Sequence, residues 1–142
     1  MNTAIIQAAP VNLPRFIARD LIPTQEQTRI QLARDKVVLV EANAGAAKTT
    51  TLALRIGEAL ARKLAPELIL ALTFTPQARD VMRARLIEIG IPEASAARIA
   101  IMTFEDFAAK VLARSEGDCV EQCTQARQLT QYALAAIDQV QR

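Results

Sequence analysis

The clearest pattern along the chain is an alternation of short apolar runs and longer stretches of helical period. Residues 1–22 hold Pro10 and Pro14 and no clear period, so they predict an irregular lead-in with a short helix over Pro14–Asp20. Thr24-Gln25-Glu26-Gln27 reads as a helix start: Thr24 can cap, and Gln27 three residues on can reach back to the cap's own N–H. This helix should run to about Arg34. Lys36 to Glu41 is β-branched and apolar, the composition of a strand buried on both faces. Ala42 to Ala47 is a loop of small residues. Lys48 to Leu64 carries Leu52, Ile56, Ala59, Leu60 and Leu64 at helical spacing, with Pro66 beyond it.

The alternation then repeats. Leu68 to Thr73 predicts a second strand. Pro76 to Ile89 predicts a helix, with Pro76 in its first turn and Gly90 just past its end. Ile99 to Thr103 predicts a third, short strand, and Phe104 to Ala113 a further helix. Cys119 to Val140 predicts a final helix with a looser apolar face that includes Val120, Leu129, Leu134 and Ile137. Strands alternating with helices at this spacing imply right-handed crossovers and a parallel sheet, an α/β fold.

Composition narrows the chemistry. The 142 residues contain no histidine, which excludes histidine triads and histidine metal sites. Two cysteines, Cys119 and Cys123, cannot alone close a four-thiolate site and read as thiols one helical turn apart. No run approaches the ~20 apolar residues of a membrane span. No basic-then-apolar lead opens the sequence, so a cytoplasmic location is the expectation. Seventeen basic and 15 acidic residues leave a net charge of +2, which neither demands nor excludes a nucleic-acid partner.

The loop from Glu41 to Thr50 carries most of the functional information. A phosphate loop works at such a junction, where backbone N–H groups and a helix N-terminus converge on an anion. A lysine there adds a charge for the β- and γ-phosphates, and the next hydroxyl can hold Mg²⁺. Lys48 and Thr49 occupy those places. In the strict pattern G-x-x-x-x-G-K-[ST], both glycine positions are alanine here, Ala42 and Ala47, and only Gly45 lies inside the loop. On the loop alone, a phosphate site and a plain small-residue turn weigh about evenly.

Four segments in order resemble the N-terminal motor domain of UvrD/Rep-type superfamily 1 DNA helicases, over about residues 22–115. The loop is similar to that family's A-G-x-G-S-G-K-T, with Ala42, Gly45, Lys48 and Thr49 in agreement. Thr24 to Gln27 resembles its adenine-reading glutamine element, which assigns Gln27; the capping box is the other reading of the same residue. Leu70 to Met82 resembles TFTNKAAxEM, a single-strand-binding motif, through Thr73, Phe74, Thr75, Ala78 and Met82. Pro76 and Gln77 stand where Asn-Lys is usual, and a core role for Phe74 is the alternative. Ile101 to Phe107 resembles the next DNA-contacting motif through Thr103 and Phe104. Glu105 replaces its histidine, and Glu105 and Asp106 also suit the first turn of a helix.

The resemblance implies a three-layer RecA-like P-loop NTPase fold, here as a partial parallel sheet flanked by helices. It implies residues 1–21 as lead-in, 22–115 as ATP-binding subdomain and 116–142 as a helical segment that could begin an inserted subdomain. It implies Mg²⁺ and ATP as cofactors. Lys48 would act on the phosphates, Gln27, Ala44, Gly45, Ala46, Ala47, Lys48, Thr49 and Thr50 would bind the nucleotide, and Thr49 would hold the metal. Single-stranded DNA would be the partner, met by Thr73, Phe74, Thr75, Thr103 and Phe104, with movement 3′-to-5′. The family's DExQ carboxylates do not occur in these residues. The chain is therefore expected to be the front part of a helicase, inactive by itself, with the remaining helicase domains outside it. The alternative is a non-catalytic, degenerate phosphate-loop module that binds DNA or protein.

Overall fold

The computed structural model describes residues 13–116 and 130–131. The predicted final helix and both cysteines lie outside the described residues, apart from two helical residues, Thr130 and Gln131. The chain divides into two compact units, 1–103 and 104–142.

Among its described residues the first unit contains four helices and two strands: α1 (Gln25–Leu32), α2 (Lys48–Ala61), β1 (Leu70–Thr73), α3 (Pro76–Glu88), α4 (Glu93–Arg98) and β2 (Ala100–Thr103). A single 3-10 turn, Pro66–Leu68, leads into β1. β1 and β2 pair in parallel, with Leu70 opposite Ala100 and Thr73 opposite Thr103. A parallel pair needs a crossover, and α3 and α4 supply it. α3 lies against both strands and against α2, and α2 packs on α1. The core between them is aliphatic, with Leu54, Leu86, Ile89 and Ile99 fully enclosed. The described part is a mixed α/β fold on a small parallel sheet.

Helix ends follow local chemistry. Both halves of the Thr24–Gln27 capping box form at the start of α1. α3 ends in a Schellman motif: Gly90 N–H donates to Ile87 O and Ile91 N–H to Leu86 O. Gly90 takes φ 102°, which glycine accepts without a Cβ penalty. α2 ends three residues before the predicted Leu64 by the same device. Lys63 N–H donates to Leu60 O and Leu64 N–H to Ala59 O, with Lys63 rather than a glycine in the left-handed region.

Two expectations are corrected. Residues 14–20 are not a helix; they run without regular structure to a turn at Arg19-Asp20 and are tied down by other elements. Arg15 N–H and Phe16 N–H both donate to Glu58 Oε2, and Arg19 N–H donates to Ile89 O. The Phe16 ring lies so close to Gly57 that a Cβ there would sit 2.5 Å from it. Lys36 to Glu41 is also not a strand of the sheet. A strand is held by ladder bonds to a neighbour, and the ladder among the described residues joins only β1 and β2; residues 36–41 pair with neither of its open edges. Their side chains still alternate: Val37 and Leu39 are more than four-fifths exposed, at 86% and 84%, whereas Val38 and Val40 line a cavity. Helix α4 is an element that the apolar pattern did not predict.

In the second unit, α5 (Phe104–Glu116) begins with Glu105 and Asp106 in its first turn, where the helix dipole favours carboxylates.

Candidate functional site

The start of α2 is the chemically distinctive place. Most helix starts place the N-cap residue in extended backbone and close the first amides with its side chain. Ala47, the N-cap of α2, instead takes φ 50° and ψ 37°, and no side chain caps the helix. The first intrahelical bond runs from Thr51 N–H to Ala47 O at 3.0 Å, so the amides of Lys48, Thr49 and Thr50 precede it. Gly45 is also left-handed, at φ 81°. The loop thus holds two left-handed residues within three positions, and left-handed residues are what let loop N–H groups turn toward a shared anion.

A cavity of about 630 Å³ adjoins this helix start. Gln27 and Ile30 of α1 line one side, Val38, Val40 and Ala42 another, and Ala46, Ala47, Lys48, Thr51 and Arg55 the third. The structure therefore brings Gln27, Ala46, Ala47 and Lys48 together around one space, although Gln27 and Lys48 are 21 positions apart in sequence. Lys48 Nζ donates to Asn43 O at 2.7 Å and Ala42 O at 3.1 Å, folded onto its own loop. Thr49 is half-buried and Thr50 is buried. Ala44 sits in the turn that Ala46 N–H closes onto Asn43 O.

Of the second group of predicted residues, Thr73, Phe74, Thr75 and Thr103 lie at the C-terminal ends of the two strands. Thr73 is half-buried, and its hydroxyl lies 3.2 Å from Thr75 O and 3.4 Å from Met102 O. Phe74 is 88% exposed, so it is not a core residue. Thr75 caps α3, accepting from Ala78 N–H at 3.1 Å. Thr103 is buried opposite Thr73. Phe104, in the second unit, is about half exposed as the first residue of α5.

These arrangements accompany a clear relationship. Residues 23–137 match the family model of the UvrD/REP helicase N-terminal domain. The chain belongs to this family. It is also 38% identical over 89 residues to a protein of Mycoplasma pneumoniae (strain ATCC 29342 / M129 / Subtype 1) named "Probable DNA helicase". That alignment covers 62% of this chain and 17% of the relative, so the chain spans about one-sixth of that protein's length. Among the described residues, no helix is long and apolar enough to cross a membrane.

Sequence reasoning missed the frame behind this candidate site. Glu58, four residues after Leu54 on the buried side of α2, is 2% exposed. Burial pushes its carboxyl up, but the N–H groups of Phe16 and Arg15 and the Arg62 guanidinium outweigh that and hold it below the ordinary value. Arg62 Nε reaches Glu58 Oε1 at 2.7 Å. Buried Gln31 donates to Phe16 O, and Arg55 donates to the carbonyls of Ile30 and Ala33 at the end of α1. These bonds lock α1 and the lead-in to α2 and so hold Gln27 beside the loop that precedes α2. The available signal was a charged residue within an apolar helical stripe.

Proposed function

We propose that this chain is the nucleotide-binding part of an ATP-dependent DNA helicase, a RecA-like P-loop subdomain spanning residues 22–115 and unable to complete catalysis by itself. The observation that carries the reading is the uncapped, left-handed start of α2 opening on a cavity that Gln27 and Lys48 share. The residues fit a magnesium nucleotide. The phosphates would be held by Ala44, Gly45, Ala46, Ala47, Lys48, Thr49 and Thr50, through backbone amides of the loop and of Lys48 to Thr50, with Ala46 N–H first leaving Asn43 O, and through the Lys48 ammonium. The Thr49 hydroxyl would hold Mg²⁺, and Gln27 would read the base. Bound ATP would supply the phosphoryl group and Mg²⁺ its charge neutralisation. What these residues do is bind and orient, with Lys48 leaving the carbonyls of Ala42 and Asn43 for phosphate oxygens.

Single-stranded DNA would meet Thr73, Phe74, Thr75 and Thr103 at the ends of the two strands, with Phe104 of the second unit a further contact, and movement would be 3′-to-5′. The exposed Phe74 ring supports this, because an aromatic face stacks on any unpaired base. A soluble cytoplasmic setting and further helicase domains outside this chain complete the reading.

Two observations favour a second reading. An alanine at φ 50° costs what a glycine would not, and Lys48 already satisfies itself on loop carbonyls. Both suit a degenerate module that keeps the fold and binds DNA or protein without nucleotide. Calorimetric titration with Mg·ADP separates the two. Saturable binding that weakens more than about tenfold in Lys48→Ala, the scale of one charge-assisted phosphate contact, supports the nucleotide site. No heat and no competition by ATP would leave the degenerate module.

A further inference from the structure

Gln27 completes the cap of α1 and still keeps half of its amide's capacity. The Thr24 backbone N–H can only donate, so the atom 3.0 Å from it is Oε1. The other atom is therefore Nε2, and it donates to Thr51 Oγ1 at 3.3 Å. The Thr51 hydroxyl in turn donates to Ala47 O at 3.1 Å, the carbonyl that also takes the Thr51 backbone N–H. Every proton in this series has one consistent direction, and it joins the cap of α1 to the last residue of the phosphate loop.

A primary amide has two N–H donors and two acceptor lone pairs. Thr24 uses one lone pair and Thr51 one N–H. One donor and one acceptor remain on Gln27, and Gln27 and Thr51 both line the cavity. That leftover pair is the complement of adenine N7 and its N6 amino group. Guanine presents two acceptors there, N7 and O6, so one of them would face the Gln27 oxygen. Capping and base reading are thus compatible in one residue. The bond from Thr24 alone leaves the amide a swivel about its oxygen, and the bond to Thr51 fixes its plane.

We infer that Thr51 is the positioning residue for purine choice: it holds the Gln27 amide in the order that accepts adenine and rejects guanine, and ties that amide to Ala47 in the phosphate loop. The inference rests on the nucleotide-site reading above. Nothing in the phosphate-loop pattern requires a hydroxyl at position 51; the Mg²⁺-binding place is Thr49.

The test titrates the 142-residue chain, Thr51→Val and Thr51→Ser with Mg·ADP and Mg·GDP. The parent should prefer ADP. Thr51→Val keeps the shape and removes the hydroxyl; it should weaken ADP by about tenfold, within the range for one bidentate base contact, and leave GDP nearly unchanged. Thr51→Ser should restore the preference. A retained ADP preference in Thr51→Val, or equal weakening of both nucleotides, overturns the role of Thr51 while the nucleotide site stands. Equal affinity of the parent for ADP and GDP does the same. A parent that binds neither nucleotide overturns both. Should Thr51→Val unfold, judged by its melting curve, Thr51→Ala is read by the same ratio.

Discussion

The helix starts of α2 and α3 follow similar apolar runs in the sequence, yet they are built in opposite ways. At α3, β1 is paired, Thr75 is extended at φ −134°, its hydroxyl closes the Ala78 amide, and Pro76 occupies the first turn. The chain itself caps this helix start. At α2, the preceding run from Val37 to Val40 has no ladder, the N-cap is a left-handed alanine, and no side chain closes the first turn. A helix start left open beside a cavity is fitted for an outside anion, whereas one closed by its own threonine is not. The difference between the two starts is the strongest structural argument for where a ligand binds.

The largest expected effect tests what holds the open start in place. Glu58→Ala should destabilise the first unit by about 3 kcal/mol, because it strands two backbone N–H groups and the Arg62 guanidinium. Hydrogen exchange should then quicken at residues 48–51 more than at 77–79; equal quickening would mean that α2 has no separate anchor. The same carboxylate gives a pH signature. Its folded pKa lies below the ordinary 4.5, so its stabilisation is fully present above that value and is lost as pH falls through the lower folded value. Acid unfolding curves of the parent and Glu58→Gln should converge there.

Next in size is Ala47→Gly. Removing a Cβ from a left-handed residue should stabilise the loop by about 1 kcal/mol and tighten Mg·ADP binding. Unchanged melting and unchanged affinity would mean that the alanine carries no strain. Thr75→Ala should cost about 1 kcal/mol, the usual worth of a threonine cap, with no effect on nucleotide. A drop in nucleotide affinity would break the contrast between the two starts. The smallest stability effect belongs to Phe74→Ala, within about 0.5 kcal/mol for an exposed side chain. It should instead weaken binding of a labelled oligothymidine at low salt, read by fluorescence anisotropy. Undiminished binding would remove Phe74 from the DNA path.

Much of this arrangement was legible in the linear pattern. The Thr24–Gln27 box, Pro76 and Gly90 at the ends of α3, the strand from Leu70 to Thr73 and the place of Lys48 follow from residues within one or two turns of each other. Local dihedral preferences and local hydrogen bonds decide them. Family membership was legible in the order of four motifs. Tertiary structure alone decided the rest. Whether Val37 to Val40 becomes a strand depends on a neighbour to pair with, which no local pattern supplies. Whether Phe74 is core or surface depends on what packs over the sheet edge. Glu58 becomes an anchor only because residues 15 and 16 return to α2 across more than 40 positions of chain. Gln27 can both cap and face a ligand because α2 brings Thr51 to its amide, and a partner 24 residues away lies beyond any local rule.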